Sequence, residues 1–382
     1  MQFRDLGMQY LSLKHEIDTG IEEVLRQCAF INGPHVKQLE AELAAYVGRK
    51  HCIACASGTD ALILPLMAWG IGPDDAVFVP DFTYFASVNC AMLRGATPVL
   101  VDIDERTFNM SPGALEQAIE RTISQGKLNP RVVIPVDLFG QPAELVEISR
   151  IAKRYGLLVL EDAAQGFGGS IGGKPTCSFG DVAATSFFPA KPLGCYGDGG
   201  AMFTDDEGTA TRLRSMRMQG SSPLDKYDNI SIGLNSRLDS IQAAILLPKL
   251  HAFIDHELDD ANHIAQRYSE ALEDVVKVPF IMKGYRSSWA QYTILLETPR
   301  QRDGLRDHLK SQGIPSMVYY PRGMHQQSAI LNGGYADGAF PITESVVQRC
   351  LSLPMGPYLS KEDQDRVIQS IREYMRQVYD QD

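Results

Sequence analysis

The chain has 382 residues, 44% of them hydrophobic and 22% charged, with a formal net charge of −11. That length suits two domains, and the apolar content is enough to bury a large core, which excludes general disorder. A net negative chain repels phosphate backbones, so nucleic-acid binding is set aside, while a local basic pocket for a small anionic substrate is not.

The opening stretch MQFRDLGMQYLSLKHEI holds no apolar signal core, and no run approaches the ~20 apolar residues of a membrane helix. Seven scattered cysteines (28, 52, 55, 90, 177, 195 and 350) are odd in number and form no disulfide framework. The expectation is a soluble protein of the reducing cytoplasm with no membrane partner. Helical spacing runs over 36–47, and a small-residue turn, ASGTDA at 56–61, opens a second helix at 59–69. An apolar run at 76–79 leads into PDFTYFA (80–86) and a helix at 87–94. Further runs at 98–101, 132–136 and 157–160 alternate with helices at 112–122 and 143–155. From about 235 the texture changes to a long helical region (238–272). Strand-like 291–296, a helix near 302–312, strand-like 315–320 and a final amphipathic helix at 361–379 follow. Short apolar runs alternating with helices predict βαβ units. The expected fold is α/β, with a mostly parallel central sheet sandwiched by helices and a smaller C-terminal α+β domain. The expected domains are 1–250, which would bind a cofactor, and 251–382.

In such a sheet, ligands bind beyond the carboxyl ends of the strands, and four features fall there. The run LLVLEDAAQ (157–165) carries an apolar strand straight into Glu161 and Asp162. These are either helix caps, or one of them is buried to pair with a cation. In TSFFPAKPLGCYGDGG (185–200), Lys191 stands among Phe187, Phe188, Pro189, Pro192 and Leu193. A desolvated lysine has a lowered pKa and a nucleophilic amine able to form a Schiff base; the ordinary alternative is a snorkelling surface lysine. The ASGTDA turn offers backbone N–H groups and a helix dipole to an anion, or a plain Ser57 cap. In PDFTYFA, Phe82 or Tyr84 offers a flat wall for a planar group, or core packing. Cys52 and Cys55 have metal spacing but no completing ligands, so no metal is expected. No P-loop or dinucleotide fingerprint occurs. Together the four features match pyridoxal phosphate. That cofactor needs a lysine for its aldehyde, an acid for its ring nitrogen, an anion pocket and a plate for its ring.

At these residues the chain resembles the sugar-nucleotide aminotransferases of the DegT type, within the aspartate-aminotransferase-like fold (fold type I). The resemblance runs from INGPHVKQLEAELAAYVGRKHCIACASGTDAL through VVIPVDLFGQPAEL and the EDAAQ and SFFPAK…GDGG blocks to GLNSRLDSIQAAIL. It implies that Lys191 bonds the cofactor and then shuttles protons, with pyridoxamine phosphate formed between half-reactions. It implies that Asp162 pairs with the ring nitrogen, that Gln165 bonds the ring hydroxyl, and that Gly58, Thr59 and Ser186 hold the phosphate. Tyr84 takes the stacking position. Asn235 of the NSRLD motif, with Arg237 nearby, reaches a neighbouring subunit, which implies a homodimer with shared active sites.

The block TSFFPAKPLGCYGDGGA is most similar to that of members that aminate UDP-2-acetamido-2-deoxy-3-oxo-glucuronic acid for bacterial surface polysaccharide such as O-antigen. L-glutamate is the implied amino donor. Two departures are Asp198, where relatives often carry Glu, and Tyr319-Tyr320-Pro321, where they often read His-Tyr-Pro. That segment belongs to the implied sugar pocket, so Tyr319 and Tyr320, with Arg237, Arg322 and His325 as counter-charges, are the substrate candidates. The alternatives are an aminotransferase for a 4-keto or dTDP-3-keto sugar and a non-catalytic, cofactor-binding regulatory protein. A dehydratase relative carries histidine at the position of Lys191, and a dehydrogenase lacks its fingerprint here.

Overall fold

The computed structural model describes residues 1–225, 227–330, 335–336 and 338–379. The strands, in chain order, begin with β1 (His51–Cys55), β2 (Asp75–Pro80), β3 (Thr97–Val101), β4 (Asn129–Val133) and β5 (Leu158–Asp162). Two short strands, β6 (Ser170–Ile171) and β7 (Lys174–Pro175), precede β8 (Val182–Ser186) and β9 (Gly200–Thr204). β10 (Tyr285–Arg286), β11 (Tyr292–Leu295) and β12 (Cys350–Leu353) complete the set. The central sheet has seven strands in the order β1-β9-β8-β5-β4-β2-β3. All of its neighbours are parallel except the two pairings of β9, which runs against both β1 and β8.

Both faces of this sheet are covered, and the strands show it residue by residue. Ile53, Cys55, Val77, Val79 and Met202 enter one apolar cluster. Their immediate neighbours Cys52, Ala54, Ala201 and Phe203 enter a second, and Ala76 and Phe78 a third, on the opposite face. Successive side chains of a strand point to opposite faces, so a strand buried on both sides reads as a continuous apolar run. That is why 76–79, 98–101, 132–136 and 157–160 were readable as strands.

The helix boundaries follow local chemistry. Pro34–Val47 starts on a proline and ends at Gly48 with φ +73°, and Pro112–Gln125 starts behind the Ser111 cap and ends at Gly126 with φ +62°. The long helical region predicted over 238–272 forms as Ser240–Ala252 and Leu258–Leu272, joined by a single π turn at Phe253–Glu257.

A second core lies in the C-terminal part. Tyr268, Tyr292, Leu305, Leu353 and Ile371 pack together between β11, β12 and the helices Leu258–Leu272, Pro299–Ser311 and Lys361–Tyr379. Its two buried tyrosines are satisfied, Tyr268 by the Pro354 carbonyl (3.1 Å) and Tyr292 by Ser269 (2.9 Å). The strand expected over 315–320 does not form. Only Met317 bridges, exchanging both backbone bonds with Ser352 (3.1 and 2.7 Å). The prolines at 315 and 321 can donate nothing to a ladder. Tyr320 instead leaves the sheet to bond Gln165. Among the described residues, no helix is long and apolar enough to cross a membrane.

Candidate active site

β1, β2, β4, β5 and β8 all point the same way, and a cavity of about 350 Å³ lies beyond their carboxyl ends. Gly58, Thr59, Tyr84, Asp162, Gln165, Ser186, Lys191, Tyr319 and Tyr320 line it.

The first wall is the start of the helix Gly58–Ala68. Ser57 caps it by accepting the Asp60 N–H (3.1 Å). The amides of Gly58 and Thr59 lie in the first turn, with no carbonyl one turn back, at the positive end of the dipole. Gly58 is needed for space, because a Cβ there would sit 2.6 Å from the Ser186 Cβ. The turn and the end of β8 therefore close into a cradle of backbone N–H and hydroxyl groups, the donor set a phosphate takes.

The second wall is the end of β5, where strand alternation parts the two carboxylates. Neither caps a helix. Glu161 points away from the cavity and accepts the N–H groups of Cys177 (2.7 Å) and Phe179 (3.0 Å). Asp162 faces the cavity, accepting Ser87 Oγ (2.7 Å) and the Ala164 N–H (3.1 Å). Burial raises the Asp162 pKa above the ordinary carboxylate value, while these two bonds and the charge of Lys191 pull it down.

The third wall carries Lys191. Its loop is held by Phe187 N–H to Gly199 O and Cys195 N–H to Phe187 O, both 2.8 Å. Gly194 permits the close turn, since a Cβ would meet the Pro189 carbonyl oxygen at 2.5 Å. Burial lowers the Lys191 pKa to about 8, with Asp162 opposing the shift and Arg4 adding to it. At pH 7 about a tenth of such an amine is neutral, against about one part in 3,000 at the ordinary pKa.

Gln165 is fixed at both ends, accepting from the Phe139 N–H (2.8 Å) and donating to the Tyr320 hydroxyl (2.9 Å). The choice of plate is resolved by burial. Phe82 is core, packed on Phe108, Phe139 and Tyr320, whereas Tyr84 is 58% exposed and lines the cavity with its ring 6.2 Å from that of Tyr320. These groups fit pyridoxal phosphate: a desolvated amine, a buried carboxylate facing it, an N–H cradle and a ring at the mouth.

Four expected residues do not line this cavity. His325 is buried elsewhere, with its backbone N–H and Nδ1 both on Asp81 (2.8 and 2.6 Å) and its ring against Phe340, so it braces the chain after β2. Asn235 is exposed, and neither it nor Arg237 reaches the cavity of its own chain. Between them Ser236 is buried, bonding Asp60 (2.6 Å) and the Ala56 N–H (3.1 Å), which pins the segment against the outside of the cradle. Arg322 is exposed as well. Conversely, Thr83, Ser87, Asp198 and Gln291 line the cavity without having been expected there. The spacing of Thr83 and Ser87, four residues apart across the entry to a helix, was the available signal for that pair.

Behind Asp162 lie two more buried acids. Burial, then the charge of Glu161, holds the Asp137 pKa well above normal, and burial pushes Glu161 up to about 7. The folded protein thus keeps a proton that the unfolded chain releases above pH ~4.5. Stability contributed by that proton fades as pH rises from about 4.5 through about 7. Asp137→Asn is expected to flatten the fall in melting temperature of the cofactor-free protein between pH 5 and 8. An equally steep fall in the variant would refute the role of Asp137 in retaining that proton.

The DegT/DnrJ/EryC1/StrS aminotransferase family pattern matches residues 12–372. The chain is 45% identical over 361 residues to UDP-2-acetamido-2-deoxy-3-oxo-D-glucuronate aminotransferase of Pseudomonas aeruginosa, covering 94% of this chain and 96% of that protein. It is 43% identical over 376 residues to a pleiotropic regulatory protein of Geobacillus stearothermophilus, covering 97% and 98%. Among solved structures, a DegT DnrJ EryC1 StrS aminotransferase from Brucella abortus superposes with a TM-score of 0.95 at 50% identity, covering 98% and 99% of the two chains. The protein ntda from Bacillus subtilis, with bound cofactor pmp, superposes with a TM-score of 0.88 at 29% identity, covering 96% of this chain and 82% of that one.

Proposed function

The chain belongs to the DegT/DnrJ/EryC1/StrS aminotransferase family, and from that premise we propose that it transfers an amino group from L-glutamate to a keto-sugar nucleotide, UDP-2-acetamido-2-deoxy-3-oxo-D-glucuronate, in the synthesis of a bacterial surface polysaccharide. The observation that carries this reading is Lys191, desolvated and facing buried Asp162 in a cavity whose far end is the N–H cradle at Gly58 and Thr59. The 45% identical relative of that name supports the choice of sugar.

Pyridoxal phosphate, when bound, supplies an electron sink for the carbanion formed at the amino-bearing carbon. Lys191 holds it, and the freed amine of Lys191 then takes and returns the proton, as base and then acid. Asp162 keeps a proton on the ring nitrogen. Gly58, Thr59 and Ser186 receive the phosphate, Gln165 meets the ring hydroxyl and Tyr84 covers one ring face. Tyr319 and Tyr320 form part of the sugar pocket.

The substrate side requires a second copy of the chain. A nucleotide uronate brings about three negative charges, yet among the described residues the only cation in the cavity lining is Lys191, beside the carboxylates Asp162 and Asp198. Asn235 and Arg237 supply the missing groups across a homodimer interface. The same segment exposes Leu224, Ile230 and Ile232, 95%, 61% and 81% accessible in the single chain, an apolar surface that suits a partner. The seven cysteines are free, in keeping with a cytoplasmic enzyme.

The test is spectroscopic. Glutamate should bleach the visible band of the cofactor-loaded protein, and the 3-oxo uronate nucleotide should restore it. Faster restoration by a 4-keto or dTDP-3-keto sugar would reassign the substrate. A band that glutamate leaves untouched would overturn glutamate as the donor, and failure to turn over any keto-sugar despite bound cofactor would favour the regulatory reading.

A further inference from the structure

Thr83 and Ser87, both fully buried, form a chain of hydroxyls ending on Asp162. Thr83 Oγ1 lies 3.1 Å from Ser87 Oγ, which lies 2.7 Å from Asp162 Oδ2. An ionised carboxylate can only accept, so Ser87 must spend its single proton on Asp162. Ser87 then has only acceptor capacity left, and Thr83 must donate to it. The chain therefore has one direction when Asp162 is ionised. The second oxygen, Oδ1, takes the Ala164 N–H, so both oxygens are anchored from the protein side. Hydrogen bonds given to the charged form favour that form. Without them a buried carboxylate would take up a proton, and a carboxylic acid cannot hold a proton on a ring nitrogen.

We propose that Ser87, polarised by Thr83, is a positioning residue that keeps Asp162 ionised and aimed into the cavity. The inference rests on the role proposed above for Asp162, and the experiment separates the two. Dissociation constants are measured for pyridoxal phosphate and for its 1-deaza analogue, which has carbon in place of the ring nitrogen. Ser87→Ala should weaken pyridoxal phosphate roughly 10- to 100-fold, the effect of losing one hydrogen bond to a charged group. The same substitution should leave the deaza analogue unchanged, and Ser87→Thr, which keeps the hydroxyl, should restore binding. Thr83→Val, which removes only the outer link, should give a smaller loss of the same nitrogen-dependent kind, and it serves should Ser87→Ala fail to fold. Equal loss for both ligands, or no loss for either, would overturn the proposal. If Asp162→Asn itself shows no preference between the two ligands, the reading of Asp162 falls first. If Asp162→Asn shows it and the Ser87 variant does not, only the present inference falls.

Discussion

Replacing Lys191 with alanine is expected to lower turnover by at least ~10³–10⁴-fold, because it removes the covalent anchor and the proton carrier together. The fold should survive. Lys191 sits in a loop whose bonds are made by backbone groups of Phe187, Cys195 and Gly199, and none of them uses the lysine amine. Burial of that amine is itself unfavourable, as its lowered pKa shows. The cofactor-free alanine variant should therefore melt no lower than the cofactor-free parent. Lys191→Arg sharpens the test. Arginine keeps the positive charge beside Asp162 but is never deprotonated in proteins, so a role for charge alone would leave that variant active. It should be as inactive as alanine. Steady-state rates for both variants, with thermal melts of the cofactor-free forms, decide the matter. A Lys191→Ala enzyme retaining more than about a hundredth of parental turnover would remove Lys191 from the chemistry.

Which parts of this were legible beforehand follows from physical causes. Parts of β2 to β5 announced themselves because residues buried on both faces are apolar in succession, as at 77–79, 100–101, 132–133 and 159–160. β8 and β9 did not, although every one of their residues is buried. VAATS and GAMFT carry only two strand-favouring residues each among alanine, glycine, serine and methionine, too weak a signal alone, and their pairing with β5 and β1 is what makes them strands. The residue cluster around Lys191 was legible because hydrophobic neighbours about a lone lysine are unusual. Its partner at β5 was legible as a pair of acids, of which Asp162 was the expected one. The period of two along a strand decides that Asp162 faces the cavity while Glu161 turns to Cys177 and Phe179. His325 shows the opposite limit. A histidine near a sugar-pocket motif suggests a counter-charge, but Asp81, 244 residues away in sequence, claims both its backbone N–H and its Nδ1. Asn235, exposed, and Arg237, half-buried, both lie away from the cavity of their own chain, so a single chain does not display the role expected of them. For Ser87 the four-residue spacing from Thr83 was the one signal, and it did not point to Asp162, because only the tertiary approach of β5 brings that carboxylate to the serine.

Asp162→Asn should cost turnover at least ~10²–10³-fold, the usual size of removing a preorganised charge from a reacting site. The substitution is nearly isosteric, so its effect isolates charge. An amide cannot hold a proton on the cofactor's ring nitrogen, and the proton-transfer step loses its electron sink. The same change should stabilise the empty protein. Burial raises the Asp162 pKa above its ordinary value despite Ser87, Ala164 and Lys191. A carboxyl whose folded pKa is raised binds its proton more tightly folded than unfolded. The stability tied to that proton is complete below the ordinary pKa of about 3.9 and is lost as pH rises through the folded value. Asparagine has no proton to lose. Cofactor-free Asp162→Asn should therefore melt above the cofactor-free parent at pH 8, with the gap closing toward pH 4. Loss of activity joined to gain of stability is the mark of a group kept for function against the preference of the fold. A variant that is inactive but melts lower at pH 8 would mean that Asp162 serves the fold, and its loss of turnover would then say nothing about the ring nitrogen.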